Sequence, residues 1–452
     1  MLRLRDTATG RVAELAPRNT GVIGLYVCGP TVYGAPHIGH GRFALVYDVL
    51  RRYLESEGFR VDHVSNVTDI DDKIIERAAA EGRDWREVAH DSEAEWWAAM
   101  DGIGVARPTA TPHATDYIAE MVELVNELLR RRAAYVTGEG VYLDTSSVAD
   151  YGLLKHQRVE SLLAGARVEI DEEKRSPVDF AIWKASKPGE PSWEAPFGMG
   201  RPGWHTECVV MSLALLGEGF DLHGGGEDLI FPHHENERAQ AVALGRTFAR
   251  HWMHNGLVRV GGEKMSKSLG NFTTMSDLLE RSDPRAYRLL VLGSHYRQPV
   301  EVSERTLRDA TTALERVDSL ARRFADAPAD ASFDEAGEAR RRFREAMDDD
   351  LDTARALAGL FSAVRRAHVL GDAGDLTAAG GLARATLDLF AVLGVGADSG
   401  QRLAGEDVRE LVRRRDVARA ARDFAAADQL RLEIESLGWV VEDTPGGTRV
   451  YR

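Results

Sequence analysis

Cysteine is almost absent from this chain. Cys28 and Cys208 are the only two among 452 residues, they lie far apart, and they form no C-x-x-C pattern, which excludes a disulfide-stapled secreted scaffold. Long apolar runs are missing too. No stretch of about 18 apolar residues occurs, and the opening MLRLRDTATGRVAEL has no apolar h-region. Neither a membrane span nor a signal peptide is therefore expected, and a reducing, cytoplasmic location is the default. Positive charge is in deficit: 57 Lys and Arg against 72 Asp and Glu leave a net charge of −15. That balance favours solubility and gives no support to non-specific nucleic-acid binding, so any such contact must come from a local basic patch. Internal repeats and low-complexity tracts are also lacking.

What is present is an ordinary globular composition, 44% hydrophobic and 29% charged, over a length that implies several domains. The β-formers Val22, Ile23, Leu25, Tyr26 and Val27 precede Gly29-Pro30, a buried strand and a turn. Val46, Val49, Leu50, Tyr53 and Leu54 then recur at helical spacing up to Gly58, and Val61–Val64 reads as the next strand. This βαβ order predicts an α/β fold with a Rossmann-like doubly wound parallel sheet. Its first half is expected over residues 1–115 and its second over 201–260. Between them, 116–200 reads as a connective insertion with a helix at Tyr117–Arg131 and a Pro- and Trp-containing segment, Lys184–Pro202. A loop-bearing region follows at 261–310. Repeated i, i+3, i+4 apolar spacing marks an α-helical bundle at 311–395, and a small C-terminal α/β domain occupies 401–452.

Three constellations carry chemistry. Pro36-His37-Ile38-Gly39-His40-Gly41 falls where strand and loop give way to a helix. A helix N-terminus offers unpaired N–H groups, Gly39 allows close backbone approach, and two imidazoles can donate to phosphate oxygens, which suits a nucleoside triphosphate. The alternative is a glycine-rich turn with two incidental histidines. Lys264-Met265-Ser266-Lys267-Ser268-Leu269-Gly270-Asn271 places two cations on a loop, where they can neutralise charge building on a phosphate leaving group; alone it reads equally as a solvated basic turn. Third, Pro232 suits the first position of a helix, which puts His233 and Glu237 at i and i+4 on one face. With Cys28 and Cys208 they make an S, S, N, O donor set that suits a borderline-soft metal, Zn²⁺. The other reading is two unrelated buried thiols and an ordinary helical Glu.

Taken together, His37–His40 and Lys264–Ser268 resemble the two signature motifs of class I aminoacyl-tRNA synthetases. Cys28–Tyr33, Asn66–Lys73, Gly203–Cys208 and Phe231–Glu237 narrow the resemblance to the cysteinyl-tRNA synthetase family, from about residue 20 to the C-terminus. The resemblance implies ATP-dependent ligation of L-cysteine to tRNA(Cys) through a cysteinyl-adenylate. It implies His37, His40, Lys264 and Lys267 as catalytic residues, with His37, Gly39, His40 and Lys267 binding ATP. Zinc, one per subunit, would sit on Cys28, Cys208, His233 and Glu237, and Mg²⁺ would accompany ATP. Thr31, Asn66, Thr68 and Trp204 would line the cysteine and adenylate pocket, and His223–Gly226 and Asp228 would lie near the nucleotide. Asp69, Asp71 and Asp72 read as structural or helix-capping residues. Zinc gives a chemical reason for cysteine: a pocket judging size alone separates it from serine by roughly 1–3 kcal/mol, whereas a metal binds thiolate strongly and a hydroxyl poorly.

In the C-terminal domain, Arg413, Arg414, Arg415, Arg419 and Arg422 at helical spacing, with Trp439 and Tyr451, suit phosphate contact and base stacking, and the resemblance makes this domain anticodon-binding. A solvated helix face is the other reading of those charges. The expected partners are ATP, L-cysteine and tRNA(Cys), with no membrane, and the expected state is a monomer. One rival is a cysteine:amino-sugar ligase of mycothiol biosynthesis, which would share the adenylate chemistry. A catalytically silent tRNA-binding relative is the other.

Overall fold

The computed structural model describes residues 1–157, 173–261, 263–264, 273–330, 333–397, 406–444 and 447–451. The chain divides into two compact units, 1–307 with 346–354, and 308–345 with 355–452.

In the first unit β1 (Val22–Val27) is buried along nearly its whole length, as expected of a strand covered on both faces. Helix α1 (Ile38–Ser56) carries the chain to β2 (Arg60–Ser65), which pairs parallel with β1. Next come α2 (Asp72–Glu81), α3 (Trp85–Gly102) and α4 (Ile118–Arg130). Asp71 caps α2, its carboxylate accepting from the Lys73 N–H. Asp69 accepts from both the N–H and the hydroxyl of Thr115, and Asp72 pairs with Lys184 and Arg201. The three aspartates thus have structural partners, as the sequence suggested.

The segment after α4 departs from expectation. Beyond its helix the sequence reading found no regular structure there, but the chain forms an antiparallel sheet of β3 (Ala134–Thr137), β4 (Gly140–Leu143), β5 (Phe180–Ala185) and β6 (Gly200–Pro202) in sequential order. The missed signal is Tyr135-Val136-Thr137-Gly138-Glu139-Gly140-Val141-Tyr142, two β-rich runs around a glycine turn. This sheet is no separate module. Val141, Leu143, Ile182 and Trp183 share one apolar core with Tyr26, Val64, Val209 and Phe220.

Helix α5 (Trp204–Leu216), β7 (Leu222–Gly226), α6 (Glu235–Ala243) and β8 (Trp252–Asn255) complete the parallel sheet, whose strand order is β8-β7-β1-β2. The chain thus winds outward from β1 to one side and from β7 to the other. The carboxyl ends of these adjacent strands face the crevice where ligands bind in open α/β sheets, and they deliver Cys28 and Gly226 there.

The second unit contains most of helices Glu304–Arg323, Asp334–Asp348 and Thr353–Asp372 and all of Leu376–Val392. Helices Glu406–Ala420 and Phe424–Ser436 and the hairpin Val440–Thr444/Gly447–Tyr451 follow. Val408, Leu411, Leu430, Ile434, Trp439 and Val441 form the core of this last part. Among the described residues no helix is long and apolar enough to cross a membrane.

Candidate active site and metal centre

His37 is the N-cap of α1 and His40 its third residue, and the two cap each other. The His40 N–H donates to His37 Nδ1 at 3.3 Å, and the His37 N–H donates to His40 Nδ1 at 3.2 Å. The rings stack with centroids 3.7 Å apart and 16° between planes. Because each Nδ1 accepts from an amide, each neutral ring keeps its proton on Nε2. Two Nε2–H donors therefore sit side by side at a helix N-terminus, a pattern matched to phosphate oxygens. Burial, with His37 and Lys73 adding to it, lowers the His40 pKa to about 3, so His40 acts as a neutral donor. Thr31, Tyr33, Ser92 and Trp96 line a small pocket with these rings.

A second cluster gathers from three parts of the chain: Cys28 just after β1, Cys208 in α5, and His233 and Glu237 on the turn before α6 and in its first turn. All four are buried, and their donor atoms lie within 4.8 Å of one another. The two sulfurs are 3.7 Å apart; tetrahedral zinc with bonds of about 2.3 Å would separate two thiolates by about 3.8 Å. Cys28 Sγ is 3.3 Å from Glu237 Oε1, Cys208 Sγ is 3.7 Å from His233 Nε2, and His233 Nε2 is 2.9 Å from Glu237 Oε1. The donor set and its spacing fit a zinc ion. Burial works against charge on both residues, yet His223 and His233 hold the Glu237 carboxyl well below its usual range, and Glu237 and Cys208 hold the His233 imidazolium up to about 10.

The regular helix begins at Glu235, later than Pro232 suggested. A wide turn over Ile230–His234 precedes it, with extended backbone at Phe231 and a cis Phe231–Pro232 bond. His233 and Glu237 meet all the same, because His233 already stands on the turn that feeds the helix.

His223, Gly224 and Gly225 pack against side chains of the protein. His223 is buried, with Nε2 2.7 Å from Glu237 Oε2, and so supports a proposed ligand from behind. Side chains at Gly224 and Gly225 would run into the rings of Tyr47 and His234, so these glycines admit protein side chains. The Tyr47 hydroxyl accepts from the Gly225 N–H and lies 2.9 and 2.8 Å from the carbonyls of Gly225 and Met253, which compete for its one proton. Gly226 ends β7, and Asp228 is exposed just beyond it.

Asn66 and Thr68 are buried and already engaged. Asn66 Oδ1 accepts from the Tyr26 hydroxyl and the Gly29 N–H, its amide donates to Thr68 Oγ1, and the Thr68 hydroxyl donates to Glu207. Thr31 is half-buried beside Thr68. Trp204 stacks on His233 at 3.9 Å between centroids. Sequence reasoning missed Tyr26, Glu207, and a buried chain in which Thr7 Oγ1 and His254 Nδ1 are 2.7 Å apart and His254 Nε2 and His234 Nδ1 are 2.8 Å apart. The one visible signal was the density of histidine between 223 and 254.

The backbone of Lys264 pairs with Arg259. Lys267, with the rest of Met265–Asn271, lies outside the described residues. In the C-terminal part the expected base-stacking Trp439 is instead in the core, 6% exposed. Of the arginines, Arg413 pairs with Glu410, and Arg415 and Arg419 pair with Asp443, while Arg414 and Arg422 are exposed. Carboxylates thus meet three of the five arginines that the spacing seemed to offer.

Residues 14–312 match the family described as tRNA synthetases class I (C) catalytic domain. Residues 342–397 match the DALR domain, and 404–451 match the cysteinyl-tRNA ligase anticodon binding domain. A cysteine–tRNA ligase of Thermotoga maritima is 42% identical, with 99% of each chain covered. One from Carboxydothermus hydrogenoformans is 43% identical over the full length of both. Among solved structures, methionyl-tRNA synthetase of Mycobacterium tuberculosis in complex with methionyl-adenylate aligns with a TM-score of 0.63 at 16% identity, covering 83% of this chain and 92% of that one. The LeuRS–tRNA ternary complex of Agrobacterium radiobacter K84 aligns with a TM-score of 0.62 at 13% identity, covering 84% and 86%. At such low identity these two likenesses speak for the fold.

Proposed function

The chain belongs to the cysteinyl-tRNA ligase family of class I tRNA synthetases, and from that premise we propose how it works. It ligates L-cysteine to tRNA(Cys) at the expense of ATP. The cysteine carboxylate attacks the α-phosphate in line, forming cysteinyl-adenylate and releasing pyrophosphate. A terminal ribose hydroxyl of the tRNA then takes the cysteinyl group, and AMP leaves. His37 and His40 donate from Nε2 to the phosphates, with Gly39 allowing close approach. Lys267, helped by Lys264, neutralises the departing pyrophosphate. Catalysis is positioning and charge stabilisation, with no protein general base required.

Cys28, Cys208, His233 and Glu237 would hold zinc, which when bound favours the substrate thiolate over the hydroxyl of serine. Trp204 and Thr31 line the amino-acid pocket, Asn66 and Thr68 brace its wall, and Gly226 and Asp228 border the adenosine side. Mg²⁺ accompanies ATP. The protein acts as a cytoplasmic monomer. The observation that carries the cysteine reading is the convergence of two thiols, an imidazole and a carboxylate beside the crevice.

The amino-sugar ligase is disfavoured by the anticodon-binding match over 404–451, which a small acceptor has no use for. The test is charging of total tRNA with labelled cysteine, run beside cysteine-dependent ATP–pyrophosphate exchange. Both signals are expected. Exchange without charging would point to the amino-sugar ligase, and absence of both to a silent relative.

A further inference from the structure

Arg42 stands two residues beyond His40 on α1 and is 1% exposed. No carboxylate pairs with it among the described residues. Its guanidinium donates instead to three main-chain carbonyls: Nη1 to Leu257 at 2.6 Å, and Nη2 to Tyr296 at 3.0 Å and to Gln298. Burying a cation costs several kcal/mol after relaxation, and an apolar side chain of similar volume would fill the same space more cheaply. The position of the acceptors gives the cation a purpose.

Leu257 leads directly into strand Val258–Val260. That strand pairs antiparallel with Glu263–Lys264, with Arg259 opposite Lys264, and parallel with Val300–Glu301. Tyr296 and Gln298 lie just before the last of these strands, and Val300 N–H donates to the Leu257 carbonyl. Arg42 therefore holds the root of the small sheet that carries Lys264. On the other side of residues 265–272, Ile38 N–H donates to the Thr273 carbonyl at 3.1 Å and Met275 N–H to the Pro36 carbonyl at 2.8 Å. Any side chain at Gly41 would collide with the Met275 sulfur. The Tyr287 hydroxyl donates to the Ile38 carbonyl at 2.5 Å. Both chain ends that bracket 265–272 are thus fastened to the first turns of the helix that opens with His37–His40.

We propose that Arg42 is a positioning residue for adenylate formation, holding the strands Val258–Val260 and Val300–Glu301 against the helix that opens with His37–His40. The inference rests on the reading that both motifs act on one ATP. Its signature is coupling: Arg42 should matter only while Lys267 does.

Arg42→Lys keeps the charge but loses the three-carbonyl fork. It is expected to lower kcat for cysteine-dependent ATP–pyrophosphate exchange about tenfold, with KM for cysteine and zinc content within about twofold of the parent. In a Lys267→Ala background the same substitution should cost less than about threefold, because the group it positions is gone. Losses that multiply in the double variant would overturn the inference, as would an unchanged kcat in Arg42→Lys alone. If Lys267→Ala leaves kcat intact, the ATP role of Lys267 falls first and the inference with it. Should Arg42→Lys fail to fold, as read from melting and zinc content, Tyr287→Phe enters the same cycle. It removes one hydroxyl from the same junction, and its loss, about threefold, should likewise vanish in the Lys267→Ala background.

Discussion

Two regions gather the side chains that made the sequence look like a ligand-binding protein, and they resolve in opposite ways. Around Cys28, Cys208, His233 and Glu237 the donors come from separate parts of the chain and point at one another across 2.9–3.7 Å, with His223 backing Glu237 and Trp204 stacked on His233. On helix Glu406–Ala420 the arginines also converge, but Glu410 and Asp443 meet them. Donors that converge on one point can take an ion between them; a charge met by a partner on another element holds the fold. Spacing in the sequence does not distinguish the two cases, because the carboxylate that settles the matter, Asp443, lies on a distant hairpin.

The comparison breaks most severely at the thiols. Cys208→Ser should lower zinc content from one equivalent to near zero and reduce cysteine-dependent exchange by more than about a thousandfold, because a buried hydroxyl cannot replace a thiolate ligand. Elemental analysis and exchange kinetics read both. Unchanged zinc and an unchanged preference for cysteine over serine would sink the metal account of selectivity. Next in size is His40→Ala, expected to cost about a hundredfold or more in kcat for exchange while zinc stays bound, since a donor aimed at developing phosphate charge is lost. His223→Gln tests support from behind the cluster. It should weaken zinc about 10–100-fold in a chelator competition, with ATP binding unaffected.

The other half of the comparison predicts stability effects with no catalytic change. Arg415→Met should destabilise the C-terminal part by about 2 kcal/mol in a denaturant melt, less than a fully buried pair would cost because Asp443 is 40% exposed and can rehydrate. Exchange, which needs no tRNA, should be unaltered. The smallest effect expected is none: with its pKa near 3, His40 stays neutral from pH 5 to 8. It therefore adds no acid limb to the kcat profile for exchange, and a limb that disappears in His40→Asn would show the neutral-donor reading to be wrong.

The parallel sheet was legible because β1, α1 and β2 carry their periodicity locally, and the same holds for the helices from 304 onward. The antiparallel sheet over 134–202 was not read, since its strands are short and its last two are separated by a Pro- and Gly-containing loop, although the first hairpin does announce itself. At the candidate site, His37, His40 and the i, i+4 pair His233–Glu237 could be found from the chain itself. Cys28 and Cys208 needed family likeness to be joined, because only the folded sheet brings them together. The surroundings of His223 show the same limit: that Glu237 meets its ring, and that Tyr47 and His234 fill the space beside Gly224 and Gly225, depends on residues far along the chain.

The mutual capping of His37 and His40 also bears on inhibitor chemistry. A compound entering this cleft meets two N–H groups at one fixed spacing and no free ring acceptor. Sulfamates, sulfonamides and other paired acceptors therefore match the wall as it stands, whereas an amine offered at the same place finds donor facing donor.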